Sequence, residues 1–388
     1  MAAIPRYRRQ SGPALLSAGF RPFFLFGALW AAIAIPIWLM AFAGEYQIAT
    51  AYAPVVWHAH ELVFGYGAAV VAGFLLTAIP NFTGRLPLQG GPLALLLLCK
   101  LDVKVAVVLD LALPALFVGV VAREILAGRN WRNLPMVGAL ALLLVGNSLV
   151  HLDAVGIAAT AELGDRIGIA TLLMLISLVG GRIIPSFTRN WLAKEQPDIA
   201  PPAPFGVIDR AVLVIVALAL VIWVIAPASV VASWVELAAG IAVALRLARW
   251  QWQATLREPL LWILHLGHGW LALGFLLLAL NGLVPLLPQT TALHALTAGA
   301  IGTMTLAVMT RASLGHTGRA LVAGRGTTTI YVLITLAALL RLLAPLGGTH
   351  YVLLLSSAGA AWSGAFGLFV LLYARPLALP RLKHGASG

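Results

Sequence analysis

Charge is scarce in this 388-residue chain. Only 10% of its residues are charged, and acids are outnumbered, 13 Asp and Glu against 25 Lys and Arg. A soluble domain carries about 25% charged residues, so an ordinary water-exposed globule is excluded. Cysteine is nearly absent. Cys99 stands alone, which excludes an intrachain disulfide and argues against a thiolate metal cluster. The string "GRGTTT" around Gly324 lacks the lysine and the spacing of a phosphate loop, so no nucleotide role follows. No cleavable signal peptide is expected: the first apolar run, from Phe20, is too long for a leader and no small-residue cleavage site follows it.

What the chain has in abundance is apolar sequence. Hydrophobic residues make up 61%, in long blocks parted by short polar stretches. That is the pattern of a polytopic helical membrane protein. No water reaches the bilayer core, so each span must satisfy its own backbone hydrogen bonds, which a helix does. The blocks predict about twelve spans, near 20–43, 57–80, 90–103, 105–123, 134–152, 165–185, 207–226, 230–248, 260–282, 291–311, 328–346 and 350–373. The expected fold is an all-α transmembrane bundle. It forms a single integral membrane domain over 1–388, with a basic N-terminal segment at 1–18 and a tail at 375–388. One region fits tightly: "CKLDVKVAVVLD" puts Lys100, Asp102 and Lys104 between two short spans.

The net charge of +12 is sorted by loop. With twelve spans, the basic clusters around Arg6–Arg21, Arg85, Arg123–Arg132, Arg182–Lys194, Arg246–Arg257, Arg311–Arg325 and Arg375–Lys383 all fall on one side. Only Lys100, Lys104, Arg166 and Arg341 fall on the other. The positive-inside rule then predicts both termini in the cytoplasm. The charge reads as topology and attraction to anionic lipid, and no nucleic-acid partner is expected.

The nine histidines carry the chemistry. On this topology His58, His60, His151, His294 and His350 sit at the outer face. His265 and His268 lie within the ninth span, His316 follows the tenth, and His384 is in the tail. Neutral imidazole is a common metal ligand, and bundles build cofactor sites from facing helices. His58, His60, His151 and His294 share a depth and come from three spans, so they read together as a metal cluster. His58 and His60 diverge by about 200° on a regular helix. Both ligate one ion only if the helix starts between them or is distorted, as Pro54 upstream allows. Imidazole without thiolate suits copper or haem iron. Glu61 reads either as a first-turn carboxylate or as a proton donor beside a metal. Arg21, Arg182 and Arg311 read as inner-face anchors or as arginines that pair with haem propionates. Asn81 and Asn147 read as interhelical hydrogen-bonders.

Six strings together carry a resemblance: "GFRPFFLFGALW", "WHAHELVFGYGAAVVAGFLLTAIPNFTG", "RNWRNLP…NSLVHL", "GGRIIPSFTRNWL", "LHLGHGWLALG" and "HALTAGAIGTMTLAVMTRASLGHTGR". From Gly19 to Arg319 the chain resembles the NnrS family, and beyond that the likeness fades. The resemblance implies a bacterial inner-membrane protein holding haem, of b type, and copper, tied to nitric oxide, denitrification and nitrosative stress. The family pattern covers His58, His60, Glu61, His151, His265, His294, Arg311 and His316. His268 departs from it, the family more often having Tyr there, and so does the "CKLDVKVAVV" segment.

Carried over, His58, His60, His151, His265, His294 and His316 become metal candidates. His58, His60, His265 and His294, with Arg21, Arg182 and Arg311, become cofactor contacts, and Glu61 a proton-donating catalytic group. Three roles stay open: oxidoreductase action on nitric oxide fed by quinol or a separate electron donor, a haem or copper carrier or gas sensor without turnover, and a proton-coupled transporter.

Overall fold

A computed structural model describes residues 12–83, 103–284 and 288–382. Those residues form helices and connecting turns, with no strand among them. Ten helical stretches are long and apolar enough to cross a membrane: Phe20–Phe42, Pro54–Ala78, Leu134–Ala154, Ala161–Glu195, Val207–Ile225, Val230–Ala248, Pro259–Leu283, Gln289–His316, Arg325–Leu346 and Gly348–Ala378. The shortest have 19 residues, which at about 1.5 Å per residue come close to spanning a core of about 30 Å. An eleventh long helix, Val103–Ala127, covers the block predicted at 105–123. The block predicted at 90–103 falls almost wholly outside the described residues, as do Asn81's side chain, Lys100, Asp102 and His384.

Large apolar side chains lie exposed along the helices, among them Val214, Leu218 and Val221 on one and Trp234, Ile241 and Leu245 on the next. Water would penalise such a surface and lipid does not. The chain is therefore a multi-pass membrane protein.

The sequence pattern misses one feature of these spans. Three of them carry a π-helical stretch: Glu61–Gly67, Ile176–Gly180 and Ala295–Gly302. A π turn puts an extra residue in the coil, re-aims the side chains after it and often marks a functional site. The first begins directly after His60 and the third directly after His294.

By its internal contacts the chain divides into two compact units, the first comprising Met1–Gly168, Ala312–Ala320 and Phe366–Gly388, the second Ile169–Arg311 and Leu321–Ala365. We label the helices that lie or begin in the first unit α1 (Phe20–Phe42), α2 (Pro54–His60), α3 (Ala68–Thr83), α4 (Val103–Ala127), α5 (Leu134–Ala154) and α6 (Ala161–Leu175). Helices α5 and α6 form a hairpin. Asp153 accepts the Ala161 backbone N–H at 2.9 Å, and the Thr160 hydroxyl donates to the Leu149 carbonyl at 2.7 Å. Its two helices touch backbone to backbone. A Cβ on Gly164 would sit 2.5 Å from the Gly146 carbonyl oxygen, and one on Gly146 would sit 2.8 Å from the Gly164 oxygen. One turn further on, a Cβ on Gly168 would strike Val63 and Phe64 of the first π turn, at 2.6 and 2.7 Å. Small residues let membrane helices approach this closely. The contacts draw three spans together around the side chains described below.

Gly164→Ala is expected to lower stability by about 1–3 kcal/mol, because a rigid backbone oxygen must move to admit the methyl. Thermal unfolding of the purified protein in detergent checks it, with Gly119→Ala, where nothing lies within 4 Å of the added carbon, as the control.

Candidate metal centre

The first unit holds one closed polar network. It is assembled from Tyr52 just before α2, His60 at the end of α2, Glu61 at the start of the π turn, Asp110 on α4, and Asn147 and His151 on α5. Asn147 and His151 are four residues apart, so they stack on one face of their helix. Asp110 approaches that face. Its Oδ2 accepts from Asn147 Nδ2 at 2.8 Å and from His151 Nε2 at 3.0 Å, and it lies 3.5 Å from His60 Nε2.

The second nitrogen of each histidine is also engaged. His60 Nδ1 lies 3.2 Å from Glu61 Oε1, and the Tyr52 hydroxyl lies 2.6 Å from His151 Nδ1. Since a carboxylate only accepts, without an ion His151 Nε2 carries a proton and its Nδ1 accepts from Tyr52; with an ion at Nε2 the proton would sit on Nδ1 and be donated to the Tyr52 oxygen. Glu61 Oε2 accepts from the Trp30 indole at 2.8 Å. Gly65 makes room for that pair: a Cβ there would come 3.0 Å from the carboxylate and 3.3 Å from the indole nitrogen. The imidazole rings of His60 and His151 are 5.2 Å apart at 70°, and Tyr52 stacks on His60 at 5.1 Å.

One ligand atom from each of His60, Asp110 and His151 lies within 4.8 Å of the other two. Atoms bonded to one ion at about 2.0–2.2 Å stand about 3–3.6 Å apart, and two of the three separations here are 3.0 and 3.5 Å. Two imidazoles and one carboxylate suit copper(II) or ferrous iron. Glu61 and Tyr52 occupy the far nitrogens of the two histidines, as outer partners do around metal-bound histidine. A porphyrin does not fit between these rings. They meet nearly edge to face and share one carboxylate oxygen, which leaves no flat slot.

The other sequence-predicted residues go elsewhere. His58 stacks on Trp38, with ring centroids 4.3 Å apart. His58 is not in the triad. His294 and His265 lie in the second unit. His294 Nδ1 donates to its own helix, at the Thr290 carbonyl, 2.6 Å away. His265 Nε2 lies 3.1 Å from the Thr188 hydroxyl. His316 packs at 5.3 Å from the Phe20 ring. Arg21, buried, donates to the Leu377 and Leu379 carbonyls at 2.7 Å each and so caps the end of the last span. Arg182 lies 5.6 Å from the Phe205 ring, and Arg311 lies 4.0 Å over Phe187.

Sequence reading anticipated Asn147 as a hydrogen-bonder between helices. It missed Asp110 and Tyr52. For Asp110 a signal was present: a lone acid in the apolar run "VAVVLDLAL" is costly in a membrane and marks a function or a partner. Tyr52, in an interhelical segment, gave none.

Burial, and then the charges of Asp110, Glu61 and Asp165, push the Tyr52 phenol well above its ordinary range. In the unfolded chain this phenol ionises near its ordinary value of about 10. Above that pH the unfolded state binds fewer protons than the folded one, so Tyr52's contribution to stability is full below about 10 and declines as pH rises further. Tyr52→Phe is expected to flatten the fall in melting temperature above about pH 10. A difference absorbance titration at alkaline pH is expected to show one late-titrating tyrosine fewer in the variant.

No curated relative matches this chain. The family comparison does match: the NnrS protein family covers residues 14–381. The match runs past Arg319, beyond which the family strings fade, and takes in the Cys99–Val108 segment that departs from them. With nearly the whole length covered, the chain belongs to the NnrS family.

Proposed function

We propose that this chain is a bacterial inner-membrane metalloprotein that acts on or responds to nitric oxide, its termini in the cytoplasm and one metal ion held by His60, Asp110 and His151. The observation that carries the reading is the convergence of those three ligands from three helices, with the second nitrogen of each histidine already engaged. The donor set suits copper(II) or ferrous iron, and the family resemblance favours copper. When bound, such an ion supplies an open coordination position for a small ligand. A neutral gas dissolves in lipid and reaches a site within the bundle without a polar channel.

The chain's own residues would then do the following. Asn147 and Asp110 fix His60, and Tyr52 and Asp110 fix His151. Glu61, its side chain 14% exposed, would accept from His60 Nδ1 at Oε1 and stand ready to take up and pass on a proton there. Reduction of nitric oxide needs electrons, and quinol or a separate electron-carrying protein is the proposed source. The haem that the family resemblance implies has no place in this triad, and nothing here depends on it.

A second reading draws on the same geometry. Trp30, Glu61, His60, Asn147, Asp110, His151 and Tyr52 form an unbroken hydrogen-bonded chain, which in metal-free protein would relay protons, as a transporter requires.

Metal analysis and electron paramagnetic resonance of the purified full-length protein decide between them. The wild type is expected to hold an ion that His151→Ala and Asp110→Ala lose, and nitric oxide is expected to change its spectrum. Glu61→Gln is expected to keep the ion and lose about a hundredfold or more in any turnover, the low end for general-acid catalysis. Wild-type metal content in His60→Ala and His151→Ala would overturn the metal reading, and proton-coupled uptake by the metal-free protein would install the second.

A further inference from the structure

The second unit carries an acid inside a span with no counter-charge beside it. Glu236 lies on the helix Val230–Ala248, about 9 Å in from its start at 1.5 Å per residue. It is 2% exposed, and its Oε1 is buried without a hydrogen-bond partner. An acid within a membrane span is costly and marks a function or a partner. Native structures keep few unsatisfied buried groups, and each asks for an explanation.

The surroundings close over this carboxyl. Ser233, Glu236 and Gly240 are three and four residues apart and so share one helix face. That face meets the span Pro259–Leu283. A Cβ on Gly282 would strike the Ser233 hydroxyl, and one on Gly240 would come 3.1 Å from the Leu276 backbone nitrogen. The two helices thus touch one turn before Glu236 and one turn after it, with the carboxyl in the seam between. Ala279, midway between Leu276 and Gly282, is fully buried. Among the described residues no charged group faces the carboxyl from the spans packed on it. Val207–Ile225 brings only Asp209 and Arg210, and Pro259–Leu283 only His265 and His268. These stand at the far end of the helix. Asp209 accepts from Arg246 Nε at 2.9 Å, and the Trp250 ring lies 4.7 Å from His268 and 6.4 Å from His265. Arg246 itself is about 15 Å further along the helix from Glu236.

We propose that Glu236 is a proton-binding site of the second unit, a carboxylic acid at neutral pH that gives up its proton only when the seam opens. A carboxylate there would be a buried charge with nothing to offset it, whereas the acid is neutral. A metal cation is not the ligand, because it needs several oxygens around it and none stands within hydrogen-bonding reach of Oε1. Release of the proton leaves a negative charge in the seam, so water or a cation has to enter between the two spans. Proton release is thereby coupled to a parting of Val230–Ala248 from Pro259–Leu283. This site stands independently of the triad, which belongs to the other unit.

The test is infrared spectroscopy of the purified full-length protein in lipid, wild type against Glu236→Gln, a change that keeps the shape and removes the titrating oxygen. Free carboxyls are ionised at neutral pH. The difference spectrum at neutral pH is expected to show a protonated carboxylic C=O band that shifts in heavy water and gives way to carboxylate bands under alkaline conditions. An apolar carbodiimide, which adds to a protonated carboxyl in dry surroundings, is expected to label Glu236 at neutral pH, read by peptide mass. Above the pH at which the acid ionises, labelling is expected to fall about tenfold per pH unit, as the protonated fraction does. A charged, water-soluble carbodiimide is expected to leave Glu236 unlabelled, and His151→Ala to keep both signals. A carboxylate band at neutral pH, the absence of apolar labelling, equal labelling by the water-soluble reagent, or protection by sodium would each overturn the proposal. Labelling of the wild type holds as a test even if the variant fails to fold.

Discussion

One oxygen organises the first unit. Asp110 Oδ2 receives Asn147 and His151 and faces His60, and through these three it ties together spans that begin at Pro54, Val103 and Leu134. In a bilayer no water stands ready to replace a missing partner, so a buried carboxylate is tolerable only where donors converge on it. The same oxygen that closes the network as a hydrogen-bond acceptor is the one that would bind an ion. A network of this kind specifies its arrangement strongly, because removing one member strands the others.

The convergence rests on backbone shape as much as on polar contacts. Gly146 and Gly164 let α5 and α6 meet at their main chains, and Gly168 admits Val63 and Phe64 from the π turn. The π turn that begins at Glu61 directs the glutamate toward Trp30 while His60, one residue earlier, keeps its face toward Asp110. A regular helix with ordinary side chains at these crossings would hold the spans further apart, and ligand atoms now 3.0–3.5 Å from one another would part.

The two units use histidine in opposite ways. In the first, His60 and His151 are wrapped by a carboxylate, an amide and a phenol, a setting that suits a hard or borderline cation and protons. In the second, His265 and His268 lie against the Trp250 ring, and His265 Nε2 meets the Thr188 hydroxyl. The difference follows from local composition: the helices around the first pair bring acids, and among the described residues none is paired with the second.

Much of this was legible from sequence. Apolar blocks of 19 residues or more, sparse charge and the ordered family strings determined an all-helical multi-pass membrane protein of the NnrS family, because lipid leaves the backbone no other solution at those segments. The spacing of His58 and His60 set them about 200° apart on a regular helix, and of the two only His60 belongs to the triad. Tertiary structure alone decided which histidines meet. His60 and His151 are joined by Asp110, 50 and 41 residues away along the chain, whereas His58 turned to Trp38. Sequence periodicity records which face of a helix is polar. It does not record which helix lies opposite, and that was set by glycine contacts and π turns whose effect appears only when the spans are packed.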